Sequence, residues 1–245
     1  MFDHEKLQVY SKALDFAAKA AAWTSIWDKK HAFVDHLSRA TESILLNLAE
    51  AARQRGRPGR LRIVDYAIGS SLECAGCLDV ARIKALLSHQ DCSPQKHLLC
   101  EITKMLVGLR KGWSPSVTRE EPPLFETKPL QQSPKPIFHH ECLEVYGTAL
   151  AFMEWFVCQA AAKELSNRLF RQLDEAGTSV VLNIAEGNGR YAEVDHQHFL
   201  QIAQSAAVKG AVFLDLGVQR GLLIETEAIA GKQILSRISA MVAGF

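Results

Sequence analysis

Residues 43–50 read SILLNLAE and residues 179–186 read SVVLNIAE, one phrase written twice at a separation of 136 positions. Sliding the chain against itself by that offset brings much more into register. Phe2, Leu7, Val9, Tyr10, Ala13, Leu14 and Phe16 fall on Phe138, Leu143, Val145, Tyr146, Ala149, Leu150 and Phe152. Leu37, Ala40, Ser43, Leu46, Asn47, Ala49 and Glu50 fall on Leu173, Ala176, Ser179, Leu182, Asn183, Ala185 and Glu186. Later matches include Leu78-Asp79 with Leu214-Asp215 and Leu86-Leu87 with Leu222-Leu223. The offset holds without a gap from Phe2 to Gly108, so the chain carries a duplicated unit of 108 residues or so.

Between the copies lies WSPSVTREEPPLFETKPLQQSPKP, which holds six of the eight prolines. Proline removes a backbone donor and disfavours helix, so this stretch reads as an extended spacer. The expected domains are 1–112, a linker 113–136, and 137–245. Within the first copy, apolar residues recur at helical spacing. Leu7, Tyr10, Leu14 and Ala17 form one stripe; Phe33, Leu37, Ala40, Ile44 and Leu48 form a second. A third, from Ile63 to Ala81, has small residues in its middle that would let a neighbouring helix come close. The fourth, Leu98, Ile102, Met105 and Leu109, is expected to open at Ser93-Pro94 as N-cap and first helical residue. In the second copy helices are expected to begin near His139, Asn167, Val194 and Glu225. Nothing shows sustained alternation of β-branched residues with hairpin turns. The reading is all-α: two tandem antiparallel four-helix bundles joined by a Pro-rich linker.

At 48% hydrophobic and 22% charged, the composition is that of a globular protein. The opening MFDHEKLQVY carries charges where a signal peptide needs an apolar run, and no stretch reaches the ~18 apolar residues that span a bilayer. No membrane association and a cytoplasmic location are expected. Six cysteines spread through such a chain read as reduced thiols, mostly small apolar fillers. The net charge of +1 hides an asymmetry: residues 1–112 hold 17 Lys/Arg against 12 Asp/Glu, whereas 137–245 hold 8 against 12. A polyanion should be met by the first copy.

Its strongest local feature is ARQRGRPGRLR (52–62), with Arg53, Arg55, Arg57, Arg60 and Arg62 interrupted by Gly56, Pro58 and Gly59. Gly and Pro break helix, so a loop is expected to present guanidinium groups at one end of the first bundle. Such planar forks suit phosphate, and 51–64 holds no acidic residue. Phosphate or RNA contact is one reading; a solvated loop, or one that meets the acidic second copy, is the other. The equivalent loop, GNGRYAEVDHQH (187–198), keeps only Arg190. The repeated phrase supplies Asn47/Glu50 and Asn183/Glu186, polar pairs on the edge of the apolar stripe. They are expected to anchor the turn into the third helix by hydrogen bonds to that helix or its turn.

CAGC (74–77) lies on a core-facing helical stripe with no second pair, so packing is expected rather than zinc or redox chemistry. His139, His140, Glu141 and Cys142 are consecutive, and His196 and His198 are two apart, so these read as surface histidines and not a metal site. No Gly-rich phosphate loop, nucleophile elbow or zinc-protease motif appears. No enzyme, cofactor or metal is expected.

The motifs SVVLNIAEGNGR (179–190) and FLQIAQS (199–205), with Leu143, Val145, Tyr146, Gln172, Leu173 and Ala176, resemble a family of four-helix bundles. That family is named for proteins encoded in intervening sequences of bacterial 23S rRNA genes. The first copy is similar through LQVY, HLSRATESILLNLAE and AIGSSLE (67–73). The copies depart from the pattern in complementary ways: Ala-Glu-Gly-x-Gly-Arg survives at 185–190 but reads AEAARQ at 49–54. The Gly-Ser-Leu-x-Glu pattern has a relative in GSSLE (69–73) but reads SAAVK at 205–209. Arg39 fits the family's basic second helix, whereas Asp174 and Glu175 do not. The resemblance implies a small oligomeric bundle without established catalysis. At fold level it also reaches accessory subunits of reverse transcriptases, where a basic oligomer binds the enzyme and its RNA. The functional expectation is a non-catalytic homo-oligomer that binds RNA or another polyanion through the arginine loop, with a reverse transcriptase or other ribonucleoprotein component as protein partner. The alternative is a structural interaction module that binds no nucleic acid.

Overall fold

The computed structural model describes residues 2–54, 56, 59–114, 136–161 and 168–244. Its helices are α1 Gln8–Ile26, α2 Ala32–Arg53, α3 Arg60–Ile83 and α4 His89–Trp113 in the first copy. The second copy repeats them as α5 Glu144–Ala161, α6 Arg168–Gly187, α7 Glu193–Gln219 and α8 Glu225–Ala243. Short 3-10 turns, Asp3–Lys6 and His139–Cys142, precede α1 and α5. Among the described residues there is no strand, and no helix is long and apolar enough to cross a membrane. Helices consecutive in sequence pack on one another in each copy, and α1 closes on α4 as α5 closes on α8. The all-α reading of two tandem bundles is met. Of the expected linker, residues 115–135 lie outside the described residues.

The apolar stripes explain the helices. On α2, Phe33, Leu37, Ala40, Ile44 and Leu48 are all buried at their expected spacing. Helix α3 is different, because it is buried on nearly every side from Val64 to Ala81, with Ser70, Ser71 and Asp79 among the buried residues. A helix covered all round must be packed on two sides. One side faces its own bundle; the other faces α6 of the second bundle. The small residues of α3 allow this approach: a Cβ on Gly76 would lie 3.0 Å from Leu182 Cδ2. The buried apolar residues of both copies therefore form one continuous cluster.

Helix α4 begins earlier than its sequence suggested. Ser88, not Ser93, is the N-cap, its Oγ accepting from Asp91 N at 3.1 Å. Pro94 then lies inside the helix. It falls in the second turn, where the missing amide forfeits only one bond, to the Gln90 carbonyl. The turn that precedes α4 needs a left-handed residue, and Ala85 takes it at φ 56°. Gly221, in the same place of the second copy, has φ 65° without the steric penalty of a Cβ.

Candidate functional site

The arginine loop closes the end of the first bundle where α2 stops, α3 starts and α4 stops. Gly56 and Gly59 turn it with φ of 68° and 90°. Arg55 and Arg57 lie outside the described residues. Arg53 ends α2 with its side chain 61% exposed, and it donates to Glu50 through Nη2 at 2.6 Å and Nε at 3.1 Å. Arg60 is a strut: Nε donates to Ala51 O at 2.8 Å and the guanidinium stacks 3.3 Å from the centre of the Trp113 ring. Arg62 is 65% exposed and lies 3.7 Å from Asp195 of α7. Arg110 of α4 borders it, ion-paired to Asp65 at 2.6 Å and laid over Tyr191 at 3.7 Å. Of the described loop arginines, Arg53 and Arg62 present guanidinium groups to solvent, and Arg60 holds the loop onto α4.

The polar pairs of the repeated phrase divide: each asparagine bonds back along its own helix, whereas Glu50 and Glu186 reach Gln54 and Arg190 of the turns that follow. Asn47 Nδ2 donates backwards along its own helix, to Ser43 O at 2.8 Å and Ser43 Oγ at 3.0 Å. The link to α3 runs one residue further, through Ser43 Oγ and Ser70 Oγ at 2.7 Å. Asn183 repeats the backward bond to Ser179 O at 2.7 Å. An Asn one turn after a serine finds both acceptors without leaving its helix, so it needs no partner on the next. Glu50 is held by Arg53 and by Gln54 Nε2 at 2.5 Å. Glu186 is different again, because it is paired with Arg190 and buried in the seam between the bundles.

That seam joins the sequence features that had diverged in complementary ways. The surviving turn of the second copy packs on the surviving third-helix pattern of the first. A Cβ on Gly189 would lie 2.9 Å from Leu72 Cδ1 and 3.1 Å from Gly69 Cα, and one on Gly69 would strike the Arg190 guanidinium. Asp174, out of place in a basic second helix, is the buried partner of Lys84 from α3 and receives Ala32 N at 3.4 Å. Burial pushes Lys84 below its usual range, and Asp174 opposes that shift. Burial, then the carboxylate of Glu73 across the seam, pushes Glu186 up to about 7 against the opposing charge of Arg190.

At one edge of the seam His140 corrects the expectation of a surface histidine, for it is fully buried. The 3-10 turn, rather than a helix, swings it beneath Phe138 and edge-on to Tyr146, with ring centres 5.5 and 4.7 Å apart. Neither ring nitrogen has a hydrogen-bond partner, and burial holds its pKa down at about 3, so it is neutral. Asp79, His140 and Glu141 place potential ligand atoms within 4.8 Å of one another. Lys96 already supplies the cation there, with Nζ at 2.8 Å from Asp79 and 2.6 Å from Glu141, and Tyr146 OH donates to Asp79 at 2.9 Å. Asp79 and Lys96 come from the first bundle; Glu141 and Tyr146 come from the second. The group is an inter-bundle lock. The CAGC cysteines are buried in the core of α3, and burial raises both thiols far from reactivity. A cleft of about 760 Å³ opens at the other end of the seam, lined by His31, Lys84, Phe156, Phe170, Arg171 and Asp174 among others.

The lock was missed in the sequence, yet a signal existed. The 136-residue offset also carries His4 onto His140, Glu5 onto Glu141 and Lys96 onto Lys232.

The model of the 23S rRNA-intervening sequence protein family matches residues 5–108 and again residues 141–244. Neither the curated proteins nor the solved structures gave a match. The two matches cover most of the chain and fall on the two bundles, so the protein belongs to the 23S rRNA-intervening sequence protein family and carries its unit twice.

Proposed function

We propose that the protein is a non-catalytic helical scaffold that binds RNA through the arginine end of its first bundle. The observation that carries this reading is the placement of Arg53 and Arg62, exposed, at either side of a glycine-turned loop whose base is fixed by Arg60 on Trp113. A rigid base with exposed guanidinium groups suits a phosphate backbone, whose charges are spaced along a strand and need several donors at once. Lys111, exposed at the end of α4, adds charge to the same end of the bundle. The second bundle keeps only Arg190 in the equivalent loop and places it in the seam, so it serves docking rather than RNA contact. A reverse transcriptase or another ribonucleoprotein component is the protein partner this role would have, and the cytoplasm its place.

The test is binding of a structured RNA by fluorescence anisotropy across a salt series. Arg53→Ala with Arg62→Ala should weaken binding at least tenfold at moderate salt and flatten the salt slope by about two charges. Unchanged binding in the double variant would overturn the reading. A second reading rests on Arg62 and Asp195: the loop is a clamp between bundles. It predicts no RNA affinity in the parent and a lower melting temperature in both Arg62→Ala and Asp195→Ala.

A further inference from the structure

The cleft of about 760 Å³, at the end of the seam away from His140, is built from both bundles. The first supplies Lys30 and His31 from the turn before α2, and Lys84 from just past α3. The second supplies Phe156 and its neighbours from the last turns of α5, with Phe170, Arg171 and Asp174 from the first turns of α6. Small-molecule sites have volumes of about 300–1,000 Å³ and an apolar lining with a few placed polar groups. This cleft has that size and that kind of lining.

Its polar groups play different parts. Lys84 and Asp174 are paired and almost wholly buried, with side chains 5% and 7% exposed, so their charges cancel. Asp174 also accepts from Ala32 N, which leaves the acidic group of the lining fully engaged. Lys84 Nζ donates to His31 Nδ1 at 3.4 Å, and so the His31 proton sits on Nε2. Burial, then the charge of Lys84, lowers the His31 pKa and keeps the ring neutral. Two cations remain. Lys30 shares Asp28 at 2.8 Å, with both side chains more than half exposed. Arg171 is exposed and has no ion-pair partner among the described residues. The lining thus carries surplus positive charge beside an apolar wall of Phe156, Val157, Ala160 and Phe170.

Duplication supplies a comparison. At the 136-residue offset, Ala20 stands for Phe156, Val34 for Phe170, Asp35 for Arg171 and Asn167 for His31. The aromatic wall and the guanidinium are particular to this junction. An open cleft forfeits packing along its walls, so this lining is better suited to a ligand than to holding the bundles together.

We infer that the cleft binds a small organic anion, with an aromatic or aliphatic body along Phe156 and Phe170 and a carboxylate on Arg171. The planar fork of arginine matches the two oxygens of a carboxylate, and Lys30 adds charge at the rim. Because its walls come from both bundles, a bound anion bridges them and stabilises the seam.

Isothermal titration calorimetry of the full chain with naphthoate and decanoate, each beside its neutral amide, tests this. At least one acid should bind once per chain, about tenfold tighter than its amide, and should raise the melting temperature. Arg171→Glu should weaken that acid about tenfold. Ala160→Trp, which fills the cleft from a half-buried position on α5, should abolish its binding. Both variants should keep the parent's circular dichroism. Lys209→Glu, which makes the same charge change at an exposed position of α7, should bind as the parent does. If neither acid binds at millimolar concentration, the inference is overturned. The same holds if the amide binds as tightly as its acid, if affinity survives either cleft substitution, or if Lys209→Glu loses as much as Arg171→Glu.

Discussion

Asp79 and Asp215 are the same residue of the duplicated unit in two surroundings, and the chain thereby contains its own control. Asp79 is buried with Lys96 and Tyr146, whereas Asp215 pairs with Lys232 in solvent. Removing one partner of a buried pair leaves an uncompensated charge, which costs about 3–5 kcal/mol, while an exposed pair is worth about 0–1 kcal/mol. Urea unfolding of the single chain at low concentration should therefore show Asp79→Ala destabilised by several kcal/mol and Asp215→Ala nearly unchanged. Equal losses would mean that the lock does not exist. This contrast could not be read from the sequence, where both positions appear as Leu-Asp on a helix. Burial depends on what the other bundle covers, and helical periodicity carries no information about that. His140 was misread for a related reason: the argument about diverging neighbours holds on an α-helix, and the residue sits on a 3-10 turn.

Between elements, the contact of α3 with α6 brings two carboxylates together. Glu73 is held by His36 at 2.8 Å, and Glu186 faces it with a pKa pushed up to about 7 from an ordinary value of 4.5. A carboxyl whose folded pKa is raised contributes stability that is fully present below pH 4.5 and lost as the pH rises through 7. His140 acts in the opposite sense, since a depressed pKa gives stability that is lost as the pH falls below 6.5. Comparing melting temperatures of the parent and Glu186→Gln from pH 5 to 8 isolates the first effect. The parent should lose ground to the variant up to about pH 7 and hold level beyond it; parallel curves below pH 7 would contradict the buried carboxyl. The elements themselves were legible. Stripes such as Phe33–Leu37–Ile44–Leu48 are local, and duplication wrote each of them twice. The small residues of α3 rightly announced a close neighbour, but not that the neighbour would be α6. The GSSLE and AEGNGR patterns are each lost in the opposite copy, and where they are retained they pack on one another.

For the whole molecule, the two copies of the duplicated unit are bundles held together by a buried seam and not two beads on a string. The proline-rich segment reads as a spacer between two domains, because sequence shows the spacer and hides the surface. The seam uses residues in which the two copies differ, Lys84 with Asp174 and Gly69 against Gly189, and one pair that both copies keep, Lys96 with Glu141. It also orders the functional proposals. The arginine end belongs to the first bundle alone. The direct measurement is to place a protease site between residues 115 and 135, cut the chain, and examine the halves by size exclusion under native conditions. The seam predicts that the cut halves remain together at the mass of one chain, and that Asp79→Ala with Lys84→Ala releases them. Halves that separate on cutting alone would show that the tether, and not the seam, holds the two bundles.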